Sequence, residues 1–254
     1  KLTVGANTRL TTSNQVSVNG DNLIIPDFYN VSTRTGELGG GEYADQFRRQ
    51  GVYGDFTLGF RDYLFLNVTA RNDWSSTLPK DNNSFFYPGA GISFVLSDAF
   101  PGIKSDNGID VLKATVNVTK TGNDPEVFAT QGIFSAPAGF PYGSLTGLSQ
   151  GSRDPDINLN PEFTLSKEVG VELSLFRSRL TFNGTYYQTN STDQIVPIEV
   201  SLASGAGSIL TNIGEIENKG LELDLKGTII KTQDFSWKLG ANYSGIKSKV
   251  LSLF

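Results

Sequence analysis

The sequence contains no cysteine, no histidine and no methionine. Without cysteine there is no disulfide, no thiolate metal ligand and no thiol nucleophile. Without histidine the usual general base, triad member and zinc ligand are missing, so serine-hydrolase and zinc-enzyme chemistry lose their ordinary parts. Long apolar runs are also absent. Hydrophobic residues make up only 38% of the 254 positions, and no stretch approaches the about 20 apolar residues of a membrane-crossing helix. Any membrane crossing must therefore be made by strands. A net charge of −5 with no basic stripe makes nucleic acid a poor partner. Lys1 already sits in strand-like alternation with no signal peptide before it, so the chain reads as a piece of a longer protein.

What is present is alternation with period two. Leu221, Leu223, Leu225, Gly227 and Ile229 alternate with Glu222, Asp224, Lys226 and Thr228. After a polar break at Lys231 to Asp234, Phe235, Trp237, Leu239, Ala241 and Tyr243 alternate with Ser236, Lys238, Gly240, Asn242 and Ser244. This predicts an antiparallel hairpin with one apolar and one strongly polar face. The same pattern recurs from Leu2 to Leu10, Val52 to Phe60, Leu64 to Ala70, Pro88 to Leu96, Leu112 to Val118, Val169 to Leu175 and Leu180 to Tyr186. About nine strands result, an odd count, whereas bacterial single-chain barrels have even ones. The apolar face meets either a second sheet, as in a soluble sandwich, or lipid, as in an outer-membrane barrel.

The connections favour the barrel. They are expected to alternate: long at 13–43, short at 61–62, long at 74–85, shorter at 98–110, long at 122–161, short at 177–178, long at 191–212 and short at 231–234. Transmembrane barrels carry short turns on the periplasmic rim and long loops on the extracellular one. Residues 121–161, with five prolines and no periodicity, form a connection that compact soluble domains rarely contain without a function. The predicted fold class is all-β, an antiparallel transmembrane β-barrel segment. Charges on the polar face of most strands suit a wet lumen.

Few constellations suggest chemistry. Asp73, Glu168, Glu172, Glu222 and Asp224 supply the carboxylates that a glycosidase needs, but each stands at an alternate strand position, where a charged lumen wall is the simpler account. Asp106 to Asp110 hints at a calcium loop and lacks the length and closing glutamate of an EF-hand. The Asn-x-Ser/Thr triplets at Asn67, Asn82, Asn117, Asn183 and Asn190 are what Asn- and Thr-rich strands produce. Gly39, Gly40 and Gly41 sit in an expected loop without the strand-to-helix context of a phosphate cradle. Trp74, Phe85, Phe86 and Tyr87 make an aromatic cluster beside an expected extracellular loop, suited either to stacking on a sugar or to an interface girdle. No cofactor and no metal site is expected. Arg71, Asp73, Trp74, Phe85 and Tyr87 are the candidate ligand-binding residues.

Several runs resemble the SusC/RagA family of TonB-dependent outer-membrane transporters. They are Ala70-Arg71-Asn72-Asp73-Trp74-Ser75-Ser76-Thr77-Leu78-Pro79 with Phe85-Phe86-Tyr87-Pro88, Thr121-Gly122-Asn123-Asp124, Leu159-Asn160-Pro161-Glu162 with Glu168-Val169-Gly170, Asn212 to Glu222, and Asp234-Phe235-Ser236-Trp237. These blocks stand in the family's order; the chain departs at Asn117-Val118-Thr119, where the family usually has an aromatic and a glycine. The resemblance implies part of a barrel of about 22 strands, with plug domain and closing strands outside the chain, and Phe254 as no terminal signature. It also implies TonB-driven import of an oligosaccharide or peptide, with a SusD-like surface lipoprotein as lid, and no catalysis. A soluble or surface-exposed β-rich binding module is the alternative.

Overall fold

β-Branched, leucine and aromatic residues at every second position favour extended backbone, and the structure, a computed structural model describing residues 1–105, 107–136, 140 and 142–253, follows that pattern. Its strands are β1 (Leu2–Asn19), β2 (Gly39–Phe60), β3 (Leu64–Ser75), β4 (Ser84–Val95), β5 (Ile109–Asn123), β6 (Phe134–Ser135), β7 (Ser149–Gln150), β8 (Arg153–Asp154), β9 (Glu162–Leu175), β10 (Leu180–Thr192), β11 (Ile195–Glu199), β12 (Ser208–Asn212), β13 (Glu215–Lys231) and β14 (Ser236–Ser252). A helical turn, α1 (Leu96–Ala99), follows β4. Nine strands form a single antiparallel sheet in the order β1-β2-β3-β4-β5-β9-β10-β13-β14, the number expected. Asp106, which opens the calcium-loop-like run, and Phe254 lie outside the described residues.

Register keeps the two faces distinct. Leu223 stands opposite Gly184 and Tyr243, and Leu225 opposite Phe182 and Ala241, while Asp224 faces Asn183 and Asn242. Among the described residues no second sheet covers the leucines: Leu225 is 44% exposed and Leu239 60%. The total accessible surface is 17150 Å², against about 11,000 Å² for a compact monomer of this mass. The excess comes from both faces and the open edges of the sheet; the uncovered leucine face within it is what a lipid-facing wall requires.

The connections sort by rim. On the short side Val95 N–H donates to Tyr63 O at 2.7 Å, Phe176 N–H to Gly108 O at 2.9 Å and Thr228 N–H to Arg179 O at 2.7 Å, joining successive turns. On the long side Asn82 Nδ2 donates to Leu159 O at 3.3 Å, and Asn160 N–H to Asn212 Oδ1 at 2.7 Å, which returns a bond from Nδ2 to Asn160 O at 2.9 Å. Turns at 61–63, 176–179 and 232–235 thus share one rim, and segments 76–83, 124–161 and 193–214 the other.

Strand ends differ from expectation. The connection at 13–43 shrinks to 20–38, because the β1–β2 ladder continues until Asn19 faces Gly39. Gly39, Gly40 and Gly41 therefore belong to a strand; a Cβ on Gly40 would strike the Ser17 carbonyl. The loop expected at 74–85 spans only 76–83, since Trp74 still pairs with Ser84. Segments 124–161 and 193–214 also contain structure. β11 pairs with β12, which runs parallel to β8, and Ala129, Leu159 and Leu210, packed with Ile195, make a small apolar core. Leu159 is 0% exposed. Leu159→Ala is expected to cost about 2–5 kcal/mol locally: in the full-length protein, protease cleavage within 124–161 should accelerate while the sheet stays folded.

Candidate functional site

Strand parity builds the site. Odd-numbered residues of β2, β3 and β4 share the polar face, and register aligns Tyr53, Arg71 and Tyr87 in one row and Gly51, Asp73 and Phe85 in the next. Arg71 holds the cluster together. Its Nε donates to Tyr87 Oη at 2.8 Å, and its Nη2 donates to Asn7 Oδ1 at 2.8 Å and lies 2.7 Å from Asp73 Oδ1. Tyr87 Oη in turn donates to Asp73 Oδ2 at 2.6 Å. The Arg71 guanidinium stands 5.6 Å from the Tyr53 ring centroid, within cation–π range. Gly51 makes the crossing possible, because a Cβ there would fall on Asp73 Oδ1 and Arg71 Nη2.

Phe85 stacks on Tyr87 with centroids 6.0 Å apart and rings 23° from parallel. It is 2% exposed although it belongs to the polar face. The cover comes from β5. The β4–β5 ladder ends where Gly89 meets Thr119, whereas β5 continues to Asn123 paired with β9. Beyond that point Gly122 lies against the Phe85 ring, and Asp124 reaches across β4 to form an ion pair with Arg49 of β2 and to accept a hydrogen bond from Ser75 of β3. Residues 120–124 therefore part from β4 while 120–123 stay paired with β9, and form a strap that Asp124 pins to β2 and β3. Ser75 Oγ also lies 2.9 Å from Thr77 Oγ1, so the anchor is a connected polar network. Asp124→Ala should free the strap without unmaking the sheet; faster hydrogen exchange at 120–126, with residues 64–70 unchanged, would register it.

The candidate residues thus divide. Arg71, Asp73, Phe85 and Tyr87 come together, beside an open depression of ≈ 460 Å³ lined in part by Tyr53, Thr69, Thr119 and Thr121. Trp74 does not join them. It stands with Phe86 on the opposite, apolar face, both partly exposed, because neighbours along a strand point opposite ways. At the other end of that face Phe60, Tyr63, Phe94 and Phe100 form a chain of edge-to-face contacts with centroids 5.8, 5.9 and 6.4 Å apart. Along β2 the distance from the Trp74 partner Gln50 to Phe60 is about 33 Å, or about 25 Å along the membrane normal at a tilt of about 40°. That matches the height of an outer-membrane apolar band between its aromatic girdles.

Sequence reasoning missed Asn7, Arg49, Tyr53, Ser75 and Asp124. Parity could have found Tyr53, which alternates with Val52 and Gly54 on the polar side. Three of the isolated carboxylates are engaged: Glu172 pairs with Lys113 at 3.3 Å, Asp224 with Lys226 at 2.8 Å, and Glu168 accepts from Ser166 at 3.0 Å. The cluster offers tyrosine rings, threonine hydroxyls and a guanidinium held by three partners.

Comparison with known proteins agrees with this architecture. Residues 1–250 match the family model described as TonB dependent receptor-like, beta-barrel. TonB-dependent receptor P3 of Formosa agariphila is 30% identical over 217 residues, covering 83% of this chain and 21% of that protein. TonB-dependent receptor SusC of Bacteroides thetaiotaomicron is 25% identical over 197 residues, covering 75% of this chain and 19% of its own length. The chain therefore spans about a fifth of these curated relatives. A solved structure of the RagAB peptide transporter superposes with a TM-score of 0.81 at 20% identity, over 100% of this chain and 28% of that one. The open sheet is thus a segment of a larger barrel set in the outer membrane, and the chain belongs to the TonB dependent receptor-like β-barrel family.

Proposed function

We propose that the full-length protein is a SusC/RagA-type importer that takes up an oligosaccharide or a peptide in a TonB-dependent manner, with this chain forming part of its barrel wall. The observation that carries the reading is the division of one nine-stranded sheet into an uncovered apolar face and a polar face bearing Arg71, Asp73 and Tyr87. A plug domain and the remaining strands belong, on this reading, to the lengths of the relatives that the chain does not cover. A SusD-like surface lipoprotein closes over the interlocked long segments, and TonB acts through the plug. No catalysis is involved.

On the same reading Phe85 and Tyr87 shape the wall, and Arg71 and Asp73 hold the tyrosine hydroxyl in place. Tyr53 and Tyr87 are the rings available to stack on a sugar or a peptide side chain, while Trp74 serves at the lipid interface. Uptake of fluorescent oligosaccharide and peptide libraries by cells carrying the full-length gene tests the function. Uptake should vanish on deletion of TonB; import that persists unchanged would remove the TonB-dependent reading.

A further inference from the structure

The apolar face ends in a row of cations. Register places Val116, Val169, Tyr186, Leu221 and Gly245 side by side across β5, β9, β10, β13 and β14. Two residues nearer the long-loop rim, and on the same face, stand Lys167, Gln188, Lys219 and Lys247. Lys219 and Lys247 are direct cross-strand partners, an arrangement that repulsion disfavours. Lys249 follows one step beyond, opposite Glu217. Glu217 compensates only part of this charge: it pairs with Lys219 at 2.9 Å and accepts from Gln188 Nε2 at 2.7 Å.

The height of the row identifies its surroundings. From Trp237 to Lys247 the chain climbs about 33 Å along β14, again about 25 Å along the normal. Lys247 therefore sits at the extracellular edge of the apolar band, Lys219 and Lys167 lie within about 10 Å of that height at the same tilt, and all face outward, where the lumen and its solutes do not reach. Below them Val169 is 51% exposed and Tyr186 49%. Ammonium groups above an apolar strip match a lipid whose anionic headgroup lies above acyl chains, and opposed lysines are stabilised once an anion sits between them.

We propose that Lys167, Gln188, Lys219, Lys247 and Lys249 form a docking site for the phosphate-bearing headgroup of an outer-leaflet glycolipid, whose acyl chains lie against Val169, Tyr186 and Leu221. The site is separate from the lumenal cluster and does not depend on the transported substrate.

The test uses the full-length protein, delipidated and titrated with purified lipopolysaccharide, with the same lipid after enzymatic dephosphorylation, and with inorganic phosphate. Thermal unfolding midpoint and glycolipid retained after gel filtration are the readouts. Intact lipopolysaccharide is expected to raise the midpoint and remain bound, with at least tenfold weaker retention for the dephosphorylated lipid. The K167Q/K219Q/K247Q variant should lose that preference, whereas K226Q/K238Q on the lumenal face should keep it. Equal retention of both lipids by the unaltered protein, a triple variant that still prefers the phosphorylated form, or an equal midpoint rise with inorganic phosphate alone would each overturn the proposal. The comparison of the two lipids needs no variant, so a triple variant that failed to assemble would leave it decisive.

Discussion

Leu223→Arg is expected to remove most of the folded, heat-modifiable form of the full-length protein, while Asp224→Arg at the adjacent position leaves most of it intact. Leu223 lies between Gly184 and Tyr243 on the apolar face, several residues from either girdle. An arginine near the midplane on that face costs about 2–4 kcal/mol. Asp224 points into the wet lumen between Asn183 and Asn242, and it pairs with Lys226 at 2.8 Å. Partly exposed pairs of that kind contribute about 0–1 kcal/mol. Electrophoretic heat-modifiability in isolated outer membranes separates the two, and equal losses would mean that neither face meets lipid.

Phe85→Ala should produce the second large effect. The ring is 2% exposed, stacked on Tyr87 and covered by the strap at Gly122. Truncating a buried phenylalanine costs about 3–5 kcal/mol, part of it for the cavity left behind. The loss concerns contacts between β4 and the strap, so the expected signature is rapid cleavage by external protease after β5, together with a lowered unfolding temperature. Phe86→Ala is the control. Its ring is 54% exposed on the other face, and the change should leave cleavage nearly unaltered. If both variants were cleaved alike, the strap would not be riveted through Phe85.

The pairing of Leu223 with Asp224 also shows how much of this fold was legible. A period of two states which residues share a face, and register along β13 and β14 confirms that division from Ile216 to Thr228; beyond it a bulge skips Ile229, expected on the apolar face, and sets Ile230 opposite Trp237. Sequence adjacency misled where a motif was read as a unit. Trp74 and Phe85 flank the same short loop, yet Asp73 and not Trp74 faces Phe85 in the ladder, so the aromatic cluster splits between lumen and girdle. Strand ends were obscured because Asn72, Ser75, Ser84 and Gly39 to Gly41 are residues common in loops, and only pairing with a partner holds them extended. The strap lay beyond reach for a different reason. Nothing local to Asp124 reveals that Arg49 and Ser75 wait across β4, and the parallel match of β8 with β12 rests likewise on tertiary contacts.

The central claim is that one face of the nine-stranded sheet meets lipid and the other water, and Leu225 and Lys226 sit next to each other on opposite sides of it. Single nitroxide labels at L225C and at the adjacent K226C in the full-length protein, reconstituted into liposomes, allow power saturation with dissolved oxygen and with a water-soluble nickel chelate. The account predicts that the label at position 225 is relaxed by oxygen and shielded from nickel, and that the label at position 226 shows the reverse. Nickel access at both positions, or at neither, would contradict it.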